Sequence, residues 1–337
     1  TVLFEDNEAD SGTSIYADDA SLYLDECTFS GDTSNKTGVV FVDGSTITAY
    51  NSVFKNNQTS DGGALYVNTG SSSDSSSIWN CVFSKDSVSG TASGPGMNLN
   101  NSMAKLYNCV FEGNSGNNYG GAMYAYASST SYKLELTNCN FINNSTSASS
   151  AGGGFSYRGM SPTISNCLFF KNTSNSSANA VYEWTTSNGL KSGSTHNASD
   201  VGTSCPSNIG SGFVNIDTSY YVDLVNDSIN PSGVNGIWFD NDDGFVPHDN
   251  IPASVLIGAG SSSDAPGEDI TGFSRPANPS IGAYEVLDIC TDDMSLPTST
   301  STTYVGDYKT TDANGWTHYC SSDDKLLLSF KTKKAPG

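Results

Sequence analysis

The chain has 337 residues, with 35 acidic and 14 basic side chains and a formal net charge of −21. A charge of this sign and size argues against nucleic acids and against anionic membrane surfaces as partners. No apolar run approaches the roughly 20 residues of a membrane-spanning helix, so we expect no membrane insertion within this chain.

A repeated frame starts at the first residues of the chain. Its marker is a phenylalanine that recurs at intervals of 25–30 residues, at Phe4, Phe29, Phe54, Phe83, Phe111, Phe141 and Phe169. The residue three positions later is always Asn or Asp: Asn7, Asp32, Asn57, Asp86, Asn114, Asn144 and Asn172. The residue two positions earlier is small or apolar: Val2, Cys27, Ser52, Cys81, Cys109, Cys139 and Cys167. A fixed interval of this length is the signature of a solenoid.

Within each repeat, apolar residues alternate as they do in short strands. Leu22 and Leu24 stand two positions apart, as do Cys27 and Phe29, and this spacing places side chains on one face of a strand. The alternation breaks between the two pairs, which predicts a corner. Asparagine tolerates the left-handed or bulged backbone that a corner needs. It occupies this position in later repeats, at Asn51, Asn80, Asn108, Asn138 and Asn166.

These patterns predict an all-β fold, a parallel β-helix with three short strands in each coil of 25–30 residues. One such unit cannot bury its apolar face alone, whereas stacked units bury a continuous core. A β-propeller blade needs about 40 or more residues, and a β-sandwich has no reason to repeat one frame along the chain.

The GGAL motif at 62–65 and the GGAM motif at 120–123, together with the recurring Phe-x-x-Asn frame, resemble the repeats of polymorphic outer membrane proteins. The resemblance covers roughly residues 1–185. It implies a right-handed β-helix of the kind found in bacterial surface adhesins.

A second resemblance lies further along the chain. The segments 242–260 and 268–285, ending in Ile-Gly-Ala-Tyr-Glu, are similar to the closing segment of secreted bacterial β-helix proteins. This similarity implies a β-helix over residues 1–286, with clear repeats over 1–185 and with irregular coils and the closing segment over 186–286. Residues 287–337 are predicted to form a small β module or the start of a further domain.

Stacked coils are expected to place one cysteine above another in an interior ladder of small apolar side chains. A disulfide between neighbouring coils fits less well, because in-register strands rarely suit the S–S dihedral angle. A metal or redox site fits less well too, because no C-x-x-C motif occurs. The ladder cysteines are Cys81, Cys109, Cys139 and Cys167.

The asparagines after the phenylalanine markers are expected to stack as well. Their amides can bond the backbone of the next coil and each other, so we interpret them as a structural Asn ladder. Its clearest members are Asn57, Asn114, Asn144 and Asn172.

Two further features lie outside the regular repeats. Cys290 and Cys320 either pair in a disulfide or remain free thiols. The sequence DNDDG at 240–244 resembles a short Ca²⁺ loop, in which three acids precede a glycine that permits the turn. It is either a solvated turn or a Ca²⁺ site formed by Asp240, Asp242 and Asp243. No other cofactor is expected.

No residue is predicted to be catalytic, because the NTD, GHG and R-x-K signatures of galacturonase-like enzymes are missing. The leading hypothesis is a secreted, non-enzymatic protein of the bacterial cell surface, with an adhesive or structural role. Its expected partners are cell-surface glycans or further copies of itself in filaments or layers. The alternatives are a polysaccharide lyase or glycoside hydrolase, or a Ca²⁺-dependent glycan-binding module. A row of exposed aromatic and acidic side chains along one face would favour the enzyme.

Overall fold

The computed structural model describes residues 1–91, 93–175, 179–184, 189–191, 193–200, 213–215, 238–239, 256–285, 308–311, 316–320 and 326–331. The chain divides into two compact units, Thr1–Glu285 and Val286–Gly337. The regular elements in the described residues are all β-strands. In this part of the chain, no helix has the length and apolar character needed to cross a membrane.

In the first unit, the strands stack in parallel into four sheets, and each coil from β1 to β24 contributes one strand to each sheet. Sheet A contains β1 (Val2–Glu5), β5 (Cys27–Ser30), β9 (Val53–Lys55), β13 (Val82–Ser84), β17 (Val110–Glu112), β21 (Asn140–Ile142), β25 (Leu168–Phe170), β28 (Asn197–Ser199) and β29 (Phe213–Asn215). Sheet B contains β2 (Glu8–Ser11), β6 (Thr33–Thr37), β10 (Gln58–Thr59), β14 (Ser87–Val88), β18 (Ser115–Gly116), β22 (Ser145–Thr146) and β26 (Thr173–Ser174).

The other two sheets complete each coil. Sheet C contains β3 (Ile15–Asp18), β7 (Val40–Asp43), β11 (Leu65–Asn68), β15 (Met97–Asn100), β19 (Met123–Tyr126), β23 (Phe155–Arg158) and β27 (Val181–Glu183). Sheet D contains β4 (Leu22–Asp25), β8 (Ile47–Tyr50), β12 (Ser75–Trp79), β16 (Met103–Tyr107), β20 (Leu134–Thr137) and β24 (Thr163–Ser165). The predicted parallel β-helix is therefore confirmed.

The number of strands per coil differs from the prediction, since a coil has four strands rather than three. The additional strand belongs to sheet B and follows the Asn or Asp of the phenylalanine frame. From β10 to β26 it is only two residues long. Two residues are too few to form an alternating apolar pattern, so in the sequence this strand could not be distinguished from a turn.

The marker phenylalanines form a continuous stack through the core. Neighbouring rings lie 4.7–4.9 Å apart from centroid to centroid, with interplanar angles of 3–15°. This distance equals the spacing of hydrogen-bonded strands, so each coil adds one ring to the stack in register. The stack lies in an apolar core that includes the ladder cysteines and the inward residues of sheets C and D.

The predicted asparagine corners are confirmed. The corner residues from Asn51 to Asn166 have φ angles of 47–53°, in the left-handed region. Their side chains also bond one another between coils. Nδ2 of Asn80 donates to Oδ1 of Asn51 at 3.2 Å, and Nδ2 of Asn108 donates to Oδ1 of Asn80 at 3.1 Å. The corners thus carry a second amide ladder, which we did not predict.

Residues 256–285 belong to the predicted closing segment, and the first compact unit ends at Glu285. Residues 256–285 contribute no strand to sheets A–D and lie across the outer face of sheet A. Leu256, Ile281 and Tyr284 pack there with outward residues of sheet A that include Val82 and Val110. Val110 therefore points out of the core and is nevertheless buried. The apolar residues of the closing segment thus cover this outer face.

The second unit contains one described sheet of three antiparallel strands, β30 (Tyr308–Thr311), β31 (Trp316–Cys320) and β32 (Leu326–Lys331). This sheet is the small C-terminal β module of the predicted fold.

Candidate functional site

Two sequence-predicted sites lie outside the described residues. Asp240, Asp242 and Asp243 of the predicted Ca²⁺ loop are not described, and neither is Cys290, while only the backbone of Cys320 is described, in β31. The Ca²⁺ site and the disulfide therefore stay predictions. Within the described ranges, no group of three or more His, Cys, Asp or Glu side chains could hold a metal ion.

The structure places the four ladder cysteines in the core as free thiols, all fully buried. Each thiol donates to the backbone carbonyl two residues earlier, with S···O distances of 3.3–3.4 Å. Burial raises the pKa of Cys81 to about 12 and also raises the pKa of Cys109 and Cys167. Cys81, Cys109 and Cys167 are therefore protonated packing residues, because the reactive species is the thiolate.

This arrangement predicts that the ladder cysteines resist alkylation in the folded protein. Iodoacetamide is expected to leave Cys81, Cys109, Cys139 and Cys167 unlabelled in native buffer and to label all four in guanidinium chloride, as read by peptide mass spectrometry. Labelling of Cys109 at the same rate under both conditions would contradict the buried ladder.

The Asn ladder forms a continuous hydrogen-bonded column inside the bend between sheets A and B. From Asn7 to Asn144, each ladder backbone N–H donates to the side-chain oxygen of the next coil's ladder residue, at 2.8–3.1 Å. The amide nitrogen of each asparagine from Asn57 to Asn172 donates to the carbonyl of the marker phenylalanine one coil earlier, at 2.8–3.2 Å. The buried amides of this column satisfy backbone groups of the bend, which is a structural role.

The outer face of sheet C carries the functional candidate that the sequence reasoning missed. Because the strands pair in register, outward residues form two columns. The first column is Tyr16, Phe41, Tyr66, Asn98, Tyr124, Ser156 and Tyr182. The second column is Asp18, Asp43, Asn68, Asn100, Tyr126 and Arg158.

An open groove of about 270 Å³ lies over the middle of these columns. Four tyrosines line it together with amides, hydroxyls and one carboxylate. The lining residues are Thr37, Asp61, Tyr66, Thr91, Ser93, Asn98, Asn100, Asn118, Tyr119, Tyr124 and Tyr126. We call it the tyrosine groove.

Hydrogen bonds fix the polar side chains of the tyrosine groove. Nδ2 of Asn100 donates to the hydroxyl of Tyr66 at 2.9 Å, and Nδ2 of Asn98 donates to the carbonyl of Ser93 at 3.0 Å. The rings of Tyr119 and Tyr124 stack with centroids 5.2 Å apart. These contacts hold ring faces and amide groups in place before any ligand arrives, which lowers the entropic cost of binding.

The phenols of Tyr66 and Tyr124 are neutral at physiological pH. Burial raises the pKa of Tyr124 to about 12, and Arg158 acts in the opposite direction. Burial also raises the pKa of Tyr66, and the nearby Asp61 and Asp43 add to the shift. Both hydroxyls can therefore donate as well as accept hydrogen bonds.

Ring faces beside amides, hydroxyls and a carboxylate suit a ligand that is apolar on one face and rich in hydroxyl groups at its edges. Sugar rings have this character, since their C–H groups form an apolar face and their hydroxyls project around it. The exposed aromatic and acidic side chains also form the row that would favour a polysaccharide-degrading enzyme, with Tyr16, Asp18 and Asp43 at one end.

A signal for the groove was present in the sequence. Tyr66 and Tyr124 are the last letters of GGALY and GGAMY, directly after the inward residues Leu65 and Met123. Strand alternation places such a residue on the outside.

Comparisons with protein-family models, curated proteins and solved structures give no match for this chain.

Proposed function

We propose that this protein is an extracellular, non-enzymatic adhesin of a bacterial surface and that it binds a glycan chain in the tyrosine groove. The observation that carries the proposal is the lining of that groove, with four tyrosines beside amide, hydroxyl and carboxylate groups. Such a mixture supplies apolar contact from ring faces and orientation from a few fixed polar groups.

The solenoid geometry supports an extended ligand rather than a single sugar. The groove takes residues from successive strands of sheet C, and aromatic side chains continue beyond it at Phe41 and Tyr16. Neighbouring coils are spaced like the phenylalanine rings, 4.7–4.9 Å apart. This spacing is close to the length of one pyranose ring in an extended chain. A glycan that runs along the solenoid axis can therefore place about one sugar ring on each coil.

Replacing Tyr66 with alanine is expected to weaken glycan binding about tenfold, because a central aromatic contact is worth about 1–2 kcal/mol. An array of polysaccharide fragments first selects the tightest ligand, and isothermal titration then compares wild type with the variant. Tyr23→Ala is the matched control, since Tyr23 is 64% exposed and lies outside the groove on the outer face of sheet D.

Equal affinities of wild type and Tyr66→Ala would contradict the proposed site, as would an equal loss in Tyr23→Ala. Repeating the titration with a chelator tests the predicted Ca²⁺-dependent alternative, which requires binding to be lost.

Polysaccharide cleavage is a second candidate, favoured by the acidic side chains beside the tyrosine row. Asp43 and Asp61 both act electrostatically on Tyr66. Paired carboxylates are the usual catalytic groups of glycoside hydrolysis. If the protein is an enzyme, it lowers the viscosity of a polysaccharide solution, and the Asp61→Asn variant loses this activity. Activity retained in that variant would argue against a catalytic role of Asp61.

Self-association into filaments or layers also stays a prediction, which sedimentation velocity can test.

A further inference from the structure

Arg158 occupies a distinctive position at one end of the second outward column of sheet C. Its guanidinium carbon lies 5.7 Å from the ring centroid of Tyr126 and 5.2 Å from that of Trp184. Cation–π contact engages the plane of a guanidinium and leaves its N–H edge for hydrogen bonding.

The aromatic neighbours of Arg158 are themselves held in place. The indole N–H of Trp184 donates to the carbonyl of Ser150 at 2.8 Å. The ring of Trp184 meets Tyr119 edge to face, with centroids 4.4 Å apart. Tyr119 and Tyr126 both line the tyrosine groove. Arg158 is therefore fixed relative to the groove, at its end nearest to β27.

Among the residues that the structure describes, none forms an ion pair with Arg158. Asp43 is the nearest carboxylate in its column and lies four coils away, about 19 Å at the spacing of paired strands. That distance exceeds the Debye length of about 8 Å at physiological ionic strength. Glu183 of β27 is buried on the inner side, where it pairs in register with Tyr157.

Arginine is rare in this chain, which has two, Arg158 and Arg275. Arg275 is buried in an ion pair with Glu285. Arg158 thus presents a planar, rigidly held cation at the end of a groove in a protein of net charge −21. A guanidinium held in this way matches carboxylate and sulfate groups, which accept two parallel hydrogen bonds from it.

We propose that Arg158 forms an anion subsite of the tyrosine groove and binds a carboxylate or sulfate group carried by the glycan. This inference rests on the proposed glycan binding and adds its chemical class: an acidic glycan whose anionic group lies over the Tyr126–Trp184 end. The aspartates at the other end of the face disfavour a second anionic group there, so the site also fixes the direction of the bound chain.

The two arginines permit a direct test by nuclear magnetic resonance. Selective ¹⁵N-arginine labelling of the full chain gives two Nε–Hε signals, and Arg158→Lys assigns them by removing one. Glucuronate and glucose 6-sulfate are each expected to shift the Arg158 signal in a saturable way, whereas glucose shifts it little. The Arg275 signal is the internal control and should stay unchanged. Comparison of the two acidic sugars shows whether carboxylate or sulfate is preferred.

An Arg158 signal that responds to neither acidic sugar, or equally to glucose, overturns the proposal. Titration with size-matched neutral and acidic oligosaccharides separates this failure from failure of the proposed function. Arg158→Gln is expected to weaken the acidic ligand about tenfold and to leave the neutral ligand within about twofold. An equal loss of affinity for both ligands means that Arg158 only supports the structure of the groove. This result also overturns the proposed anion subsite. If Tyr66→Ala affects neither ligand, the proposed groove fails irrespective of the Arg158 result.

Discussion

Replacing Arg275 with methionine is expected to lower the free energy of unfolding by about 3–5 kcal/mol, because the change leaves the buried Glu285 carboxylate without its cationic partner. The side chains of Arg275 and Glu285 are at most 2% exposed and form an ion pair. The second guanidinium nitrogen donates to Oδ1 of Asn108 at 2.8 Å and to the carbonyls of Gly282 and Ala283 at 3.1 Å. One side chain thus ties the closing segment to an asparagine corner of the solenoid.

Loss of this anchor has a second consequence. The closing segment covers the outer face of sheet A, where Val82, Val110 and Leu168 are buried under it. Without Arg275, the Glu285 carboxylate must find water or take up a proton, and either change weakens the packing of residues 281–285 on that face. Hydrogen exchange at the backbone amides of Gly282 and Ala283 is expected to become faster.

Guanidinium chloride unfolding, followed by circular dichroism, measures the loss. Lys105→Met is the matched control, since it removes an exposed ion pair with Glu135 at 3.0 Å. Exposed pairs contribute little, so this control should change the stability by less than about 1 kcal/mol. Similar small losses in both variants would contradict the anchoring role of Arg275.

Replacing Asp86 with asparagine is expected to raise the free energy of unfolding at neutral pH by about 1–3 kcal/mol. Asp86 stands in the buried Asn ladder, and its Oδ1 accepts from the backbone and side-chain N–H groups of Asn57, both at 2.9 Å. Its Oδ2 is buried and has no hydrogen-bond partner among the described residues. In the asparagine coils the corresponding atom is an amide nitrogen, which donates to a phenylalanine carbonyl. An asparagine at position 86 can restore this donation.

The effect depends on pH in a defined direction. Burial raises the pKa of Asp86 well above its ordinary value, the hydrogen bonds from Asn57 oppose the shift, and the nearby Glu112 adds to it. An unfolded aspartate titrates near about 3.9. Above that pH and below the folded pKa, the folded state holds a proton that the unfolded state has released. The contribution of the Asp86 carboxyl to the free energy of unfolding is therefore fully present below about pH 4. It is lost as the pH rises through the pKa of Asp86 in the folded protein.

Unfolding measured from acidic to neutral pH checks this sign. The gain from Asp86→Asn should be small near pH 4, where a protonated aspartate can donate as an amide does, and should grow towards neutral pH. Asn114→Asp is the reverse substitution in the next coil, and it should destabilise the protein most at neutral pH. Stability differences that do not vary with pH would contradict a protonated Asp86.

The parts of the fold that sequence could predict are those fixed by one residue type in every coil. Phenylalanine recurs at positions such as Phe83 and Phe111, because each coil must place a ring on the same stack. Asparagine recurs at corners such as Asn108, because few residue types tolerate a left-handed backbone. The strands of sheet B gave no such signal, since two residues are too few to alternate. The outer covering by residues 256–285 could not be predicted either, because an apolar segment looks the same whether it stacks as a coil or covers a sheet.

The candidate site was predictable only in part. The alternation after Leu65 places Tyr66 on the outside, yet one strand does not reveal a groove. The groove exists because in-register stacking brings Tyr66 of β11, Asn98 of β15 and Tyr124 of β19 together across separations of 26 to 32 residues. The loop residue Tyr119 joins them from outside the strands. Loop lengths differ between coils, so this contact could not be read from the repeat.

The most direct test of glycan binding by sheet C is a crystal structure of the protein in complex with its tightest-binding oligosaccharide. The result we predict is a sugar chain along the solenoid axis, with rings on the faces of Tyr66 and Tyr126 and hydroxyls bonded to Asn98 and Asn100. A sugar chain bound elsewhere on the solenoid, with the tyrosine groove empty, would contradict it.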